Sequence, residues 1–392
     1  GFSYQSQVAV VGQHAFVAGV TAGFQVFDIA NPADPTLAAH YRQPSNYVRN
    51  FALTNDAVFL ATDFGVEVAD TTTPDRPWIR AYRALGQMQR IVLDGGRAYS
   101  VTTGGGLNIV TIDSASQLSP AGTIPGGPMY ILDICLSSDA YVVGGDNLNP
   151  QLKVYNLADP ANPIVRATLT NSAASGFAYR ITKRGSLAYL LEDSGTLRIV
   201  DVSQSSNPIP RGSLPGASGG YGRYDFAFSA DGQRLFVGTG TGFNVIDVTN
   251  PNAPSLQGSN NIGSRVFGLD VVQNLIFVAS SGGGVLVFDI TDPLQPVLVR
   301  SYATPTFTAF RGGGVSDVSV QGDYVYAACG TSGLLVLKMQ DLVRPEIFIT
   351  NPTFSPEFLT SNSTLDLGGS AQDNKGVTRV TWANDRGGGG EV

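Results

Sequence analysis

Four side chains suited to acid–base or electrostatic chemistry recur along the chain at intervals of roughly 45 residues, namely Arg90, Asp133, Arg180 and Asp225. Guanidinium and carboxylate groups that meet in a cleft can bind an anionic substrate and move protons, which is the chemistry of a lyase or hydrolase. No GxSxG nucleophile elbow, P-loop or paired-carboxylate motif accompanies them. An enzyme that uses these four groups is one alternative, and it depends on the elements that position them.

Those elements are short strands that belong to an internal repeat. Each copy alternates apolar and variable residues, ends in Asp and continues into a Pro-x-x-Pro segment, as in Gly23–Asp28, Gly65–Asp70, Leu197–Asp201, Gly242–Asp247 and Gly284–Asp289. Of these, the Leu197–Asp201 copy keeps only one proline, Pro208. Weaker copies occupy 106–110, 152–156 and 333–337. About eight copies at a period of roughly 42 to 49 residues predict a radial repeat.

Each repeat predicts four strands joined by polar turns, and no stretch has the apolar spacing of a helix. We therefore predict an all-β chain that folds as a β-propeller of about eight four-stranded blades, with seven blades if one weak unit is irregular. The last unit lacks an outer strand of its own. Residues before Gly1 or near Phe2 to Gln5 are expected to close the ring.

The repeat resembles the LVIVD repeat family of bacterial propeller proteins, from about Ser3 to Met339. The resemblance lies in Leu197-Arg198-Ile199-Val200-Asp201 and Val285-Leu286-Val287-Phe288-Asp289. It implies a propeller in a secreted or surface-attached protein, and it implies no activity. Residues 229–236 also resemble a hairpin of lactonase-type propellers.

The composition narrows the classes of partner. A formal charge of −7, a pI near 4.8 and the absence of any basic run argue against nucleic acid. No apolar stretch is long enough to cross a membrane as a helix, so membrane insertion is not expected. The two cysteines, Cys135 and Cys329, belong to opposite blades and are not expected to form a disulfide. We predict no cofactor and no metal site.

The repeated Asp at the strand end has a structural interpretation. A carboxylate there can accept a hydrogen bond from a following backbone amide, as in an Asx-turn, while the prolines stiffen the crossing to the outer strand. These residues are therefore predicted to cap turns rather than to act in catalysis.

The repeat stops after Met339, which divides the chain into regions. We predict a propeller over 1–340, a linker over 341–345 and an incomplete immunoglobulin-like domain over 346–392. The last region alternates strands around the turn at 373–376 and resembles bacterial immunoglobulin-like domains, of which it would form only the first strands. The chain is thus expected to be part of a longer protein with further domains.

Alignment of the innermost strands predicts a polar ring at the mouth of the central channel. Its members are Gln7, Asn50, Arg90, Asp133, Arg180, Asp225, Asp270 and Asp317. The ring would suit a cation or polar ligand, or its carboxylates would cap loops and pair with the arginines.

The connections between blades predict a second surface, which we call the loop face. It is rich in aromatic and arginine side chains: Tyr41, Arg42, Tyr47, Tyr130, Tyr221, Arg223, Tyr224, Phe307, Phe310 and Arg311. Such residues anchor protein interfaces, and tyrosine also stacks on sugars. The preferred hypothesis is a non-enzymatic platform, extracellular or on the cell surface, that binds a protein or glycan. The alternatives are a structural subunit or spacer of an extracellular assembly and the enzyme above.

Overall fold

The computed structural model describes most of the repeat region and parts of the carboxy-terminal region. The described residues are 7–19, 23–32, 35–41, 48–54, 56–73, 78–102, 104–113, 117–125, 130–145, 149–174, 176–219, 224–282, 284–302, 315, 317–321, 324–328, 334–338, 346–351, 368–372, 380–383 and 389–391. The chain divides into two compact units, 1–338 and 339–392.

The first sixteen strands form four consecutive antiparallel sheets, each with its strands in sequence order. They are β1 (Gln7–Val11), β2 (His14–Gly19), β3 (Gly23–Asp28), β4 (Thr36–Tyr41), β5 (Val48–Leu53), β6 (Ala57–Thr62), β7 (Gly65–Asp70), β8 (Trp78–Ala84), β9 (Met88–Asp94), β10 (Arg97–Thr102), β11 (Leu107–Ile112), β12 (Leu118–Ile124), β13 (Tyr130–Leu136), β14 (Asp139–Gly145), β15 (Pro150–Asn156) and β16 (Ile164–Thr170).

The following fifteen strands form three more four-stranded sheets and, within the described residues, a sheet of three strands. They are β17 (Ala178–Arg184), β18 (Leu187–Glu192), β19 (Leu197–Asp201), β20 (Ile209–Leu214), β21 (Phe226–Phe228), β22 (Arg234–Gly238), β23 (Gly242–Asp247), β24 (Ser255–Asn261), β25 (Val266–Val272), β26 (Leu275–Ser280), β27 (Gly284–Asp289), β28 (Val297–Tyr302), β29 (Asp317–Gln321), β30 (Tyr324–Ala328) and β31 (Leu334–Lys338).

The sheets are arranged as a closed ring of blades, numbered in chain order from blade 1 (β1–β4) to blade 8 (β29–β31). First strands of neighbouring sheets pack against one another, as β5 does against β9, β13 against β17 and β25 against β29. Strand β1 packs against β29, so the eighth sheet joins the first. The prediction of an all-β propeller is confirmed: seven blades have four strands, and the described residues of the eighth supply three. The residues expected to complete that blade lie outside the described part of the chain.

Burial explains why the middle strands are continuous apolar runs. Every residue of β6 and β14 is buried, because each blade is covered by a neighbour on both faces. The outer strands differ: in β16 five of the seven residues are exposed and the other two are half-buried. The hydrophobic core is therefore a series of clusters between blades, such as the one that joins Tyr99 and Ile109 of blade 3 to Val142 and Tyr155 of blade 4.

The predicted turn caps are confirmed. In six blades the Asp or Asn that ends the third strand accepts a hydrogen bond from the backbone N–H two residues later, at 2.8 to 2.9 Å. These residues are Asp28, Asp70, Asn156, Asp201, Asp247 and Asp289. Hydrogen bonding by Arg211 contributes most to lowering the pKa of Asp201 to about 2.

Glycine in the outer strands allows the next blade to approach closely. A Cβ atom placed on Gly122 of β12 would lie 1.8 Å from the carbonyl oxygen of Pro160, in the proline-containing turn of blade 4. On Gly212 of β20 it would lie 2.5 Å from Cδ of Pro254, in the corresponding turn of blade 6. At these two positions the turn of one blade covers the outer strand of the blade before it, which protects an exposed sheet edge.

The second unit contains four short strands among its described residues. Strand β32 (Glu346–Asn351) pairs antiparallel with β33 (Gly368–Gln372), and β34 (Thr381–Ala383) pairs antiparallel with β35 (Gly389–Glu391). An immunoglobulin-like fold for this region stays a prediction.

Candidate functional site: the channel ring

Pairing register places the predicted ring residues at one level of the innermost strands. Six of them lie opposite a small or apolar residue near the end of the second strand: Gln7 opposite Ala18, Asn50 opposite Ala61, Arg90 opposite Val101, Asp133 opposite Val143, Arg180 opposite Leu191 and Asp317 opposite Ala328. Asp225 directly precedes Phe226, which begins the corresponding strand of blade 6.

Asp270 of blade 7 differs from the other predicted members. The residue that pairs at the ring level is Gly268, opposite Ala279, whereas Asp270 pairs with Phe277 two residues further along. Since side chains in a strand alternate between faces, Asp270 lies on the same side one step deeper. The ring level of blade 7 therefore holds no side chain, and the deeper level gains a carboxylate.

Ring residues bind the backbone of the adjacent blade. Oε1 of Gln7 accepts hydrogen bonds from Nδ2 of Asn50 at 2.9 Å and from the backbone N–H of Phe51 at 3.0 Å. Oδ1 of Asn50 in turn accepts one from the N–H of Ile91 at 2.9 Å. Each such amide follows a ring residue on an innermost strand, which is the inner edge of its sheet. The ring thus satisfies edge amides that would otherwise need water.

The carboxylates extend this pattern around the channel. Oδ2 of Asp133 accepts a hydrogen bond from the N–H of Ile181 at 3.0 Å. Oδ2 of Asp317 accepts one from the N–H of Val8 at 3.3 Å, across the junction that closes the ring. The deeper Asp270 accepts one from Val320, also at 3.0 Å, so its displaced position still connects two blades.

Each of the two ring arginines forms an ion pair with a ring carboxylate. Nε of Arg90 lies 2.6 Å from Oδ1 of Asp133, without the alignment of a hydrogen bond, and Nη2 of Arg180 lies 2.6 Å from Oδ1 of Asp225. Burial lowers the pKa of Arg90, against the opposing charge of Asp133. Burial also disfavours charge on Arg180, but its carboxylate neighbours outweigh this effect and raise its pKa. The four groups suited to catalysis are therefore paired with one another.

Blades 6 to 8 contribute three carboxyl groups to the channel: Asp225, Asp270 and Asp317. Burial, reinforced by the charge of Asp225, raises the pKa of Asp317 to about 7. Burial also raises the pKa of Asp270. The described residues contain no group of three or more His, Cys, Asp or Glu side chains placed to hold a metal ion.

Most of the predicted loop face lies outside the described residues. This applies to Arg42, Tyr47, Tyr221, Arg223, Phe307, Phe310 and Arg311, while Tyr41 and Tyr130 are described only by their place in β4 and β13. Tyr224 is the exception, and it is 3% exposed. The guanidinium of Arg265 lies 5.5 Å from the centre of its ring. Tyr224 therefore packs inside the blade junction instead of offering a stacking surface.

Sequence reasoning missed a band of exposed apolar side chains on the outer strands, which we call the rim band. Its members follow the last proline before the outer strand by one or two residues: Leu37, Trp78, Ile164, Val165, Ile209, Leu256, Val297 and Leu298. They are between 44% and 63% exposed. The signal was present in the sequence, because an apolar residue recurs at this point of the repeat.

One of the two cysteines lies among the described residues. Cys135 is a free, partly buried thiol whose pKa is raised mainly by burial, and Cys329 lies outside the described residues. None of the described segments forms a helix of the length and apolarity needed to cross a membrane.

The fold and the repeats define a β-propeller repeat protein. Five segments of the chain match the LVIVD repeat, at residues 4–43, 175–214, 228–261, 266–304 and 312–339. No curated protein sequence matches the chain.

Several solved structures share the fold at low sequence identity. Sqt1 from Chaetomium thermophilum, bound to the N-terminus of the ribosomal protein L10, superposes with a TM-score of 0.66 at 15% identity, over 85% of this chain and 96% of that one. BamB from Moraxella catarrhalis gives 0.61 at 14%, over 84% and 95%. The computationally designed Ika8 protein gives 0.65 at 12%, over 86% and 98%. At these identities the likeness shows the fold alone.

Proposed function

We propose that the protein is a non-enzymatic binding scaffold, secreted or attached to the cell surface, which engages a protein or glycan through the loop face. The observation that carries this proposal is the use of the channel ring. Its arginines and carboxylates pair with one another or with backbone amides of the next blade. A ring engaged in this way holds the blades in register and supports a rigid platform.

The choice of the loop face rests on its side chains and on its relation to the ring. The connections between blades precede the ring positions in the sequence, so we expect the loop face to lie around the channel mouth. Tyrosine and arginine are the side chains that most often dominate binding energy. Sqt1 offers a parallel for a polypeptide partner, since a propeller of this fold binds the N-terminus of the ribosomal protein L10.

A triple variant, Tyr47→Ala, Tyr130→Ala and Tyr221→Ala, tests the proposal. The intact protein is screened against immobilised glycans and against cell-surface protein fractions, and the strongest ligand is then titrated. We expect the triple variant to bind at least about tenfold more weakly, because each buried aromatic anchor contributes more than about 1 kcal/mol.

The control is Val11→Ala, on the β1–β2 hairpin at the opposite end of the blade, where the side chain is 43% exposed. It should leave affinity unchanged. Equal binding by the triple variant and the wild type would contradict the loop face. Loss of binding on Trp78→Ala alone would assign the contact to the rim band.

A structural role in an extracellular assembly is the second candidate, and the rim band favours it. Exposed apolar residues such as Trp78 and Ile164 lie on outer strands, where copies of the chain or a neighbouring protein can pack. Under this alternative the loop-face variant would assemble normally and rim variants would not.

A further inference from the structure

A groove opens between blades 3 and 4. Its volume is about 280 Å³. Six of its lining residues are apolar or aromatic, and they come from the end of β12, the start of β13, from β15 and from the start of β16: Ile124, Pro125, Ile131, Tyr155, Pro163 and Val165. Thr123 and Lys153 complete the lining.

Lys153 occupies a position that other blades use for contacts within the propeller. The equivalent residue of blade 5, Arg198, is 8% exposed and pairs with Glu192 at 3.1 Å. The equivalent residue of blade 6, Asn244, donates to the backbone oxygen of Ala217 at 3.0 Å, in the connection that leaves blade 5. No hydrogen bond or ion pair joins Lys153 to any described residue. Its ammonium group therefore lines the groove without a counter-charge among the described residues.

We propose that this groove binds a carboxylate carried on an apolar group, in the form of the C-terminal apolar residue of a partner polypeptide. This inference goes beyond the proposed function, because the groove shares no residue with the loop face.

Charge and shape both support this ligand. Arg166, next to Val165 in β16, is neutralised by Asp139 at 2.9 Å, so among the described lining residues Lys153 is the cation available to an anion. Burial raises the pKa of Tyr155, which keeps its hydroxyl protonated and able to donate. The apolar walls suit one large aliphatic or aromatic side chain, and a C-terminal residue carries such a side chain and a carboxylate on the same carbon.

The size of the groove supports a single residue in place of a larger ligand. Pockets for whole small molecules begin at roughly 300 Å³. A volume of about 280 Å³ lies just below that range. The neighbouring Ile164 and Val165 are exposed at 63% and 47%, so the remainder of a polypeptide has an apolar surface to follow beyond the groove.

The test uses the full chain and a fluorescent pentapeptide that ends in leucine, titrated by fluorescence anisotropy. We expect binding by the peptide with a free carboxylate, and about tenfold weaker binding by the same peptide with a C-terminal amide, since a hydrogen bond to a charged group is worth about 1.5 kcal/mol. Lys153→Met should weaken the carboxylate peptide by the same factor and leave the amide peptide unchanged.

Matched variants separate the site from general effects of charge and folding. Lys183→Met removes another lysine, one that lies 5.9 Å from the ring centre of Tyr141, and should bind like the wild type. Val165→Asp places a negative charge in the groove wall and should abolish binding. Ile209→Asp makes the same change at a similarly exposed position of blade 5 and should not.

Three results would overturn the inference: equal affinity for the acid and amide peptides, wild-type affinity in Lys153→Met, or no binding of the acid peptide. Free 4-methylpentanoate, used as a competitor, identifies the source of the carboxylate. Binding of this small acid without binding of the peptide would refute a polypeptide ligand. Loop-face variants should leave peptide binding intact, so this proposal and the proposed function fail separately.

Discussion

Replacement of Asp133 by alanine is expected to lower the free energy of unfolding by about 3 kcal/mol, the lower end of the cost of breaking a buried ion pair. Asp133 is 1% exposed and has three contacts: the Arg90 guanidinium at 2.6 Å and the backbone amides of Ile134 and Ile181 at 2.8 and 3.0 Å. Without it, a largely buried charge and two amides lose their partner. Urea denaturation followed by tryptophan fluorescence measures the change.

Two further variants make this prediction specific. Asp133→Asn keeps an acceptor oxygen and should be destabilised less than Asp133→Ala, because only the charge is lost. Asp94→Ala removes an exposed carboxylate at the end of β9 and should leave the denaturation midpoint unchanged. A loss below about 0.5 kcal/mol in Asp133→Ala, the range of ordinary surface substitutions, would show that the ring does not hold the blades together.

Stability should also fall as the pH rises from 5 to 8, and Asp317 should be the main cause. Its pKa is about 7 in the folded protein, above the usual value of about 3.9. Because the folded-state pKa is raised, folding favours the protonated form. The associated stability is fully present below about pH 4 and is lost as the pH passes through 7.

Asp317→Asn should remove most of this dependence on pH, and the raised pKa of Asp270 accounts for the smaller remainder. The raised pKa corresponds to at most about 3 kcal/mol between pH 5 and 8, and screening by solvent reduces the amount. Denaturation curves at several pH values measure it. Asp201→Asn is the control: the pKa of Asp201 is about 2, so its contribution is constant over this range. A slope in Asp317→Asn as steep as in the wild type would refute the assignment.

The sequence was sufficient to predict the fold and the turn caps, because both follow from the repeat itself. An Asp at the end of a strand and a proline-rich crossing determine a local hydrogen bond, as at Asp28 and Asp247, without reference to distant residues. The ring could be predicted for the same reason wherever the polar residue holds the same place in the repeat, as at Asn50 and Asp133.

Features that depend on packing between blades could not be predicted from the repeat. Gly268 and Asp270 both face the channel, and only the pairing register with Ala279 and Phe277 shows which of them lies at the ring level. Tyr224 was assigned to the loop face by its residue type, but its contact with Arg265 comes from the next blade. For the same reason the sequence does not distinguish Lys153 from the buried polar residues at equivalent positions.

Hydrogen exchange at the amides of Val8, Phe51, Ile91 and Ile181 tests most directly whether the ring joins adjacent blades. These N–H groups lie on the inner edges of their sheets and donate to Asp317, Gln7, Asn50 and Asp133. We predict that they exchange as slowly as the amides of the buried strand β6, through global unfolding. Rapid exchange at these four amides while β6 stays protected would contradict a ring that holds the scaffold closed.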